Sequence, residues 1–264
     1  MLKCMLEVNQ LRVVYGSNVV LKDVNLVVNG EKVVLVGPNG SGKSTLFKAI
    51  LGLAPVASGL IKVFDNSLSN IKNLIEISTN IAEVYRIANL KVADIINVYC
   101  ELRGIGNAQT FQMIKEFELD DTLGRKLHEL STGQQKMVCN ILALNQSAKL
   151  LLLDEPFDNV DQSRRRRFIE LLKRSNAELL MSTHEFELLR LLPGWKLCFM
   201  LEGKLFGMFE VSQLERLYIS KGRLENALAV METSLGIFSV TLDKGDLQVK
   251  TATNLSSLLE AVAE

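Results

Sequence analysis

The sequence predicts an α/β fold with a mixed core sheet, an antiparallel N-terminal β-subdomain, an inserted α-helical subdomain and a small α+β C-terminal tail. Apolar runs of strand length stand at Val33–Val36 and Leu150–Leu153, and such runs are typical of strands buried on both faces. Two alternating runs precede the first of them. Helix-type periodicity fills residues 81–147. We expect one large domain over residues 1–210 and a small extension over 211–264.

Composition limits the class of protein. Of the 264 residues, 48% are hydrophobic, so the chain can bury a sizeable core. Thirty basic residues balance thirty acidic ones, which argues against nucleic acid as the main partner. The four cysteines lack metal-ligand spacing, which indicates buried free thiols in a reducing compartment. The sequence shows no signal region and no uncharged apolar run of bilayer length, so we expect a soluble, cytoplasmic chain whose membrane partner, if it has one, is another protein.

The first two strands are predicted at Leu6–Val14 and Val20–Val28, with a turn over residues 15–18. A hairpin in this position is unlike a plain doubly wound nucleotide fold, and it places Tyr15 at the end of a strand. The Tyr15 ring could stack on a nucleotide base, or it could belong to a half-buried hairpin. The sequence alone leaves both open.

The third strand leads into a loop with the spacing G-x-x-x-x-G-K-[ST]. Glycines at this spacing let successive backbone N–H groups point at phosphate oxygens, and the following helix adds its positive N-terminal end. Lys43 can reach the β- and γ-phosphates, and the Ser44 hydroxyl can bind Mg²⁺. This P-loop comprises Gly37, Pro38, Asn39, Gly40, Ser41, Gly42, Lys43, Ser44 and Thr45.

The elements that follow the loop are predicted from period and turn residues. A tail turn at residues 243–246 is expected to join two strands as a hairpin. Helices are expected at Leu46–Leu53, Lys136–Leu144, Asp161–Arg174, near Leu214–Tyr218 and from Leu255. The stretch Ser58–Phe64 is expected to be a turn, at Ser58-Gly59, followed by a short strand. Further strands are expected at Asn73–Thr79, Leu179–Thr183, on both sides of Glu202-Gly203-Lys204, and in the tail at Ala227–Met231, Gly236–Leu242 and Leu247–Thr251.

Two carboxylates follow the apolar strand Leu150–Leu153. Ligands of open α/β sheets bind at the carboxyl ends of strands, so Asp154 is expected to support Mg²⁺ and Glu155 to align the attacking water. His184 ends the next core strand and is expected at the same edge of the sheet.

The run Arg164–Arg167 lies mostly on the outer side of its predicted helix. It indicates either a patch for anions or lipid headgroups, or an ordinary solvated helix face, and the second is favoured.

Taken in order along the chain, these features resemble the nucleotide-binding subunit of an ABC transporter over residues 1–210. The features that carry the resemblance are Tyr15, the loop from Gly37 to Thr45, Leu130-Ser131-Thr132-Gly133-Gln134, the strand ending in Asp154-Glu155, Asn159-Val160-Asp161 and His184. The resemblance implies a P-loop NTPase fold, ATP and Mg²⁺ as cofactors, and ATP hydrolysis.

The resemblance also implies a role for each matching residue. Tyr15 would stack on adenine, and Ser131, Thr132, Gly133 and Gln134 would form the signature that contacts the γ-phosphate of ATP held by a second copy. Asp161 would join the two sites, and His184 would contact the γ-phosphate. The working unit would be a dimer with itself or with a paralogous ATPase subunit, held at the inner face of the cell membrane by an integral-membrane permease.

Three positions depart from the family's pattern. Asn80 stands where the family carries a glutamine and is expected to bind Mg²⁺ or water with a shorter reach. Thr132 replaces a glycine of the signature and is expected to cap the helix. Val160 replaces a small residue before Asp161.

The wider chain resembles archaeal cobalt-type uptake ATPases, which is a weak indication of cargo because a fold does not fix a substrate. Two alternatives stay open. One is a soluble ABC ATPase without a transport role, and the other is a nucleotide switch with slow turnover, which the presence of Asn80 suggests. The single P-loop and the lack of sustained heptads in the sequence disfavour the soluble class.

Overall fold

The computed structural model describes residues 5–67, 75–85, 89–144 and 147–263. The chain divides into two compact units, Met1–Asn73 with Ser182–Glu264, and Leu74–Met181. The predicted domain limits at residues 81, 147 and 210 stay predictions.

The first unit begins with an antiparallel sheet in the strand order β2-β1-β4-β5. On β1, alternate apolar side chains such as Leu6 and Val8 are buried, which is the expected pattern for a strand with one face on the core. The described elements of this unit up to residue 67 are β1 (Leu6–Tyr15), β2 (Asn18–Val28), β3 (Lys32–Val36), α1 (Lys43–Ile50), β4 (Val56–Val63) and β5 (Asn66–Ser67).

The predicted turn at Ser58-Gly59 is wrong, because both residues lie inside β4. At Gly59, φ is +100°, and an added Cβ would meet the Gln10 carbonyl oxygen at 2.5 Å. The register between β1 and β4 shifts beside this point, so the glycine permits a bulged close approach of two strands rather than a chain reversal.

Helix α1 starts and ends three residues earlier than predicted. Gly42, in the left-handed conformation, is the residue before the helix, so the P-loop passes directly into it at Lys43. At the other end Leu51 is the C-cap and Gly52 has φ +69°. The glycine therefore stops the helix, as helix-ending glycines commonly do.

In the rest of the first unit, β3 pairs in parallel with β9, and β9 pairs with β10 as an antiparallel hairpin. The predicted helix near Leu214–Tyr218 is partly wrong: its first half is a 3₁₀ helix (Val211–Arg216) and its second half is strand. The remaining elements are a 3₁₀ helix (Phe186–Leu191), β9 (Lys196–Leu201), β10 (Lys204–Glu210), β11 (Leu217–Lys221), β12 (Ala229–Thr233), β13 (Gly236–Leu242), β14 (Leu247–Gln248), a 3₁₀ helix (Val249–Thr251) and an α-helix (Leu255–Ala263).

The tail forms a sheet in the order β12-β13-β11-β14. The hairpin predicted over residues 243–246 is wrong. Both β13 and β14 pair antiparallel with β11, which therefore lies between them. The turn residues are suited to a reversal, but pairing with a strand from earlier in the chain decides the topology.

The second unit holds parallel strands in the order β8-β7-β6, together with helices. Every residue of β7 is buried, as its apolar run predicts. The predicted strand Asn73–Thr79 is seen as Ile77–Thr79, and residues 73–74 lie outside the described residues. The elements are β6 (Ile77–Thr79), α2 (Ala82–Tyr85), α3 (Val92–Leu102), α4 (Ala108–Glu116), 3₁₀ helices at Asp120–Thr122 and Leu127–Glu129, α5 (Thr132–Ala143), β7 (Leu150–Leu153), α6 (Gln162–Arg174) and β8 (Glu178–Thr183), whose last two residues belong to the first unit.

The arginine run on α6 binds the end of another helix. Arg164 donates from Nε to the Phe117 carbonyl at 2.8 Å and from Nη2 to the Glu118 carbonyl at 3.0 Å, and Arg167 donates to the Glu116 carbonyl. These carbonyls lie at the end of α4 and directly after it, where no further helical turn supplies N–H partners. The run is therefore neither a bare solvated face nor an open anion site: two of its members cap α4, and Arg166 is exposed.

We expect Arg164→Ala to lower the free energy of unfolding by about 1–3 kcal/mol, because it removes charge-assisted hydrogen bonds to carbonyls at a helix end. Urea unfolding followed by circular dichroism measures this. Arg166→Ala removes the same charge from the same helix and is expected to stay within about 0.5 kcal/mol of the wild type. Equal losses in the two variants would show a general charge effect instead.

Three of the cysteines, Cys100, Cys139 and Cys198, are buried free thiols, which confirms that part of the prediction; Cys4 lies outside the described residues. Burial raises the pKa of the Cys198 thiol to about 12, so this side chain is a packing residue. Among the helices of the described residues, none combines the length and the apolar character that a membrane span requires.

Candidate functional site

The P-loop follows β3 and is shaped by close contacts. An added Cβ at Gly37 would lie 2.1 Å from the Met200 carbonyl oxygen and 2.9 Å from Ser41 Oγ, so no larger residue fits there. Gly40 and Gly42 have φ of +79° and +108°, a backbone region that favours glycine. The glycine positions of the motif are thus required by the conformation of the loop.

Lys43 and Ser41 are the buried polar side chains of this loop. Lys43 is 4% exposed, and its Nζ donates to the carbonyls of Gly37 at 2.7 Å and Pro38 at 3.0 Å. Ser41 is 3% exposed, and its Oγ has no hydrogen-bond partner within the described part of the chain. A buried cation beside an unsatisfied buried hydroxyl suits a polyanionic ligand, because phosphate oxygens would satisfy both.

The other loop residues are more accessible. Ser44, on the first turn of α1, is exposed, so its hydroxyl is available to a metal ion or a phosphate. Among the rest, Asn39 and Gly40 are exposed, and Pro38 and Thr45 are half-buried.

The turn between β9 and β10 is hydrogen-bonded to the P-loop, a contact that the sequence did not predict. The backbone N–H of Gly203, between β9 and β10, donates to the Ser41 carbonyl at 2.9 Å. The neighbouring Glu202 carboxylate accepts hydrogen bonds from the backbone and hydroxyl of Ser234, between β12 and β13. The hydroxyl of Ser234 is the main reason that the pKa of Glu202 lies below its ordinary value. One turn, at residues 202–203, therefore contacts both the P-loop and the tail.

Two predicted residues of the first unit lie at strand ends. Tyr15 closes β1 and is 44% exposed, so its ring is accessible as base stacking would require. His184 follows β8, and the carbonyl of the preceding Thr183 accepts the N–H of Gly37 at 3.2 Å. The histidine is thus one residue from a direct contact with the P-loop.

In the second unit, Asp154 and Glu155 follow β7 as predicted. Glu155 has φ +43°, unusual for a residue with a side chain. The backbone N–H of Asp154 donates to Asn80 Oδ1 at 2.8 Å, and its carbonyl accepts from Asn80 Nδ2 at 3.2 Å and from Lys136 Nζ at 3.0 Å. Asn80 is 2% exposed and binds the end of the strand.

The signature residues form the start of α5. Ser131 is the N-cap: its Oγ accepts the Gln134 N–H at 3.2 Å, and Gln134 Oε1 accepts the Ser131 N–H at 3.2 Å. This reciprocal capping box starts the helix at Thr132, so the predicted start at Lys136 and the predicted capping role of Thr132 are both wrong. Gly133 is required by packing, because an added Cβ would lie 2.2 Å from the Asn159 carbonyl oxygen.

Asp161 is the N-cap of α6, and its Oδ1 accepts the Arg164 N–H at 3.0 Å. That backbone hydrogen bond is the main reason that the pKa of Asp161 is lowered. The carboxylate therefore remains charged at neutral pH and holds the start of the helix.

The structure brings the predicted residues together as two groups, one in each unit. In the first unit, Gly37 accepts a hydrogen bond from Lys43 Nζ and donates one to the Thr183 carbonyl, next to His184, and in the second unit Asn80 binds Asp154. Sequence reasoning missed Lys136 and Asn140 on α5. Asn140 could have been noticed as a polar residue inside the apolar stretch Met137–Ala143.

Comparisons with known proteins agree with these features. A family model described as "ABC transporter" matches residues 21–158. The chain is 34% identical over 179 residues to the "Putative 2-aminoethylphosphonate import ATP-binding protein PhnT" of Salmonella choleraesuis, covering 65% of this chain and 48% of that protein. It is 33% identical over 189 residues to the "Zinc transport system ATP-binding protein TroB" of Treponema pallidum, covering 67% and 71%. The chain thus matches about half the length of the first of these relatives.

A solved structure gives the same result along nearly the whole chain. The "putative Cobalt transport ATP-binding protein (cbiO-2)" superposes with a TM-score of 0.88 at 34% identity, over 97% of this chain and 99% of that one. This confirms the predicted fold class, including the tail, and the resemblance to cobalt-type cassettes. The chain belongs to the ABC transporter family of ATP-binding proteins.

Proposed function

We propose that the chain is the ATP-binding and ATP-hydrolysing subunit of an ABC transporter, which couples the closure of a MgATP-bound dimer to substrate movement through a separate membrane permease. The observation that supports this best is the P-loop itself. The buried Lys43 ammonium lies against Gly37 and Pro38, and the Ser41 hydroxyl is buried without a partner in the described residues. A triphosphate would satisfy these polar groups together.

In this proposal the nucleotide is bound by residues of the first unit. Tyr15 stacks on the adenine ring, Gly37–Thr45 surround the β- and γ-phosphates, and the Lys43 ammonium neutralises their charge. The side chain of Tyr15 is accessible for stacking, and α1 begins directly after the loop, where the positive end of a helix dipole favours an anion.

Mg²⁺ would be held by the Ser44 hydroxyl and the Asp154 carboxylate, oxygen ligands of the kind this ion prefers. When bound, the ion would neutralise charge on the β- and γ-phosphates. Asn80 is a weaker candidate ligand in this proposal, because its Oδ1 already accepts the Asp154 N–H and would have to release it.

Glu155 would align the attacking water or accept its proton, and His184 would contact the γ-phosphate. The signature Ser131–Gln134 would meet ATP bound by a second copy, with Asp161 close to the joint between the two sites. The capped N-terminus of α5 supports this part, because a helix N-terminus carries positive potential toward an anion.

The partners in this proposal are a second ATPase subunit, identical or paralogous, and a polytopic permease that holds the subunit at the inner face of the membrane. The related proteins are named for phosphonate, zinc and cobalt transport, and these cargos range from an anionic phosphonate to divalent metal cations. The proposal therefore specifies the ATPase subunit and leaves the cargo to the permease.

We expect Glu155→Gln to lower steady-state ATP hydrolysis by at least about 100-fold while MgATP binding is kept, because the amide preserves shape and removes the base. Phosphate release measures turnover, and light scattering with MgATP is expected to show a dimer. Glu101→Gln, at an exposed position of α3, removes an equal charge and is the control. Equal, negligible turnover in the wild type and Glu155→Gln would support the slow nucleotide switch, and a persistent monomer would oppose the shared site.

A further inference from the structure

Helix α5 carries a polar side chain where its neighbours are apolar. Asn140 is completely buried, and the residues around it on the helix, from Met137 to Ala143, are otherwise hydrophobic or sulfur-containing. A buried amide costs free energy unless its donors and acceptors are paired. An apolar residue would fill this position equally well. The hydrogen-bond partners of the Asn140 amide therefore indicate why a polar residue stands here.

Apart from the Met137 sulfur, which lies 3.8 Å from Nδ2 on the same helix, those partners lie on both sides of Glu155. Asn140 Nδ2 donates to the Pro156 carbonyl at 2.7 Å, one residue after Glu155. Asn140 Oδ1 accepts from Asn80 Nδ2 at 2.8 Å, and the same Asn80 amide binds both the N–H and the carbonyl of Asp154, one residue before Glu155. Two amides thus form a clamp across the three residues 154–156.

Lys136, which lies one turn before Asn140 on α5, adds a third side chain that binds this strand end. Its Nζ donates to the Asp154 carbonyl at 3.0 Å, and positions four apart lie on one face of a helix. The clamp of Asn80, Lys136 and Asn140 therefore joins the end of β7 to the helix that begins with the signature.

The backbone conformation between these hydrogen bonds explains why a clamp is useful. Glu155 has φ +43°, in the left-handed region that side-chain-bearing residues rarely adopt. Such a conformation persists where surrounding contacts over-determine it, and it is concentrated at functional sites. Here the backbone groups on either side of the glutamate are fixed by the clamp, so the direction of its carboxylate depends on α5.

We propose that Asn140, with Asn80 and Lys136, is a positioning residue for Glu155, so that Asn80 acts in this chain as part of an internal clamp on the strand end. This rests on the proposed catalytic role of Glu155. Removing the clamp lowers the rate at which bound ATP reacts and leaves nucleotide binding unchanged, because the hydrogen bonds of the clamp go to the backbone of residues 154 and 156.

The test is Asn140→Ala in two backgrounds, the wild type and Glu155→Gln, with kcat and KM for MgATP measured in each. We expect kcat to fall at least about tenfold in the wild-type background with KM unchanged within about twofold, since small misplacements of a catalytic group cost large factors in rate. In the Glu155→Gln background no further fall is expected. Ile141→Val, a buried neighbour on α5, is the control for packing and is expected to leave kcat unchanged.

Equal fractional losses of kcat in the two backgrounds would overturn the clamp, because Asn140 would then act through something other than Glu155. A normal kcat in Asn140→Ala, with Glu155→Gln inactive, would also overturn it and leave the proposed function intact. If Glu155→Gln itself kept the wild-type rate, the catalytic proposal would fail first.

A variant at the half-buried Lys136 covers the case in which Asn140→Ala does not fold. Lys136→Met removes the ammonium group that donates to the Asp154 carbonyl, and we expect a fall of about threefold or more in kcat that disappears in the Glu155→Gln background. Lys149→Met, at an exposed position of the same unit, removes the same charge and is expected to have no effect. Equal rates for the two lysine variants would contradict the proposal.

Discussion

Lys43→Met is expected to weaken MgATP binding about 100-fold, with a corresponding loss of hydrolysis at fixed nucleotide concentration, since a buried cation that pairs with an anion contributes most when desolvated. Lys43 is nearly fully buried, and its ammonium is held against the carbonyls of Gly37 and Pro38. Methionine preserves the length and apolar stem of the side chain, so the change isolates the charge. Titration with a fluorescent ATP analogue measures the affinity.

The control for this variant is Lys48→Met, which removes a lysine from the same helix one turn later. We expect it to bind MgATP with wild-type affinity. Unchanged binding in Lys43→Met would contradict the assignment of the P-loop as the triphosphate site, and a Tm measurement on both variants separates lost binding from lost folding.

Gly133→Ala is expected to reduce hydrolysis by at least about tenfold and to lower stability by about 1–3 kcal/mol, the usual cost of forcing an extra methyl group into a packed site. The added Cβ would lie 2.2 Å from the Asn159 carbonyl oxygen, and the obstacle is backbone rather than a flexible side chain. Either the first turn of α5 or the loop before Asp161 has to move. Both belong to the proposed joint between copies, so catalysis suffers along with stability.

Gly124→Ala is the matched control, because nothing lies within 4 Å of a Cβ at that position and the residue belongs to the same unit. It is expected to be neutral or slightly stabilising. A Gly133→Ala variant with normal turnover and normal Tm would show that the Asn159 loop yields easily, and it would remove the packing explanation for this glycine.

Much of the fold follows from local signals in the sequence. The apolar run of β7 and the alternation in β1 predicted those strands closely, and the P-loop pattern located its helix. The position of Asp154 and Glu155 after β7 was predicted in the same way, whereas the signature was assigned through the family resemblance. These features depend on residues close together in the chain, which is why pattern reasoning reaches them.

The errors arise where distant parts of the chain decide the outcome. The turn at residues 243–246 is locally suited to a hairpin, yet β11 lies between the two strands that it joins. Arg164 reads as a surface residue until its carbonyl partners at Phe117 and Glu118 are seen. Asn140 likewise shows its role only through Asn80 and Pro156. The start of α5 is different, because the Ser131–Gln134 capping box was already legible in the sequence.

The turn between β9 and β10 has a consequence for where this chain can be shortened. Gly203 holds the P-loop through Ser41, and the adjacent Glu202 holds the tail through Ser234. A protein ended near residue 210 would keep the complete nucleotide motif and lose the hydroxyl and N–H groups that fix Glu202. Because the same turn contacts the P-loop, we expect nucleotide affinities measured on such a truncated protein to differ from those of the full chain.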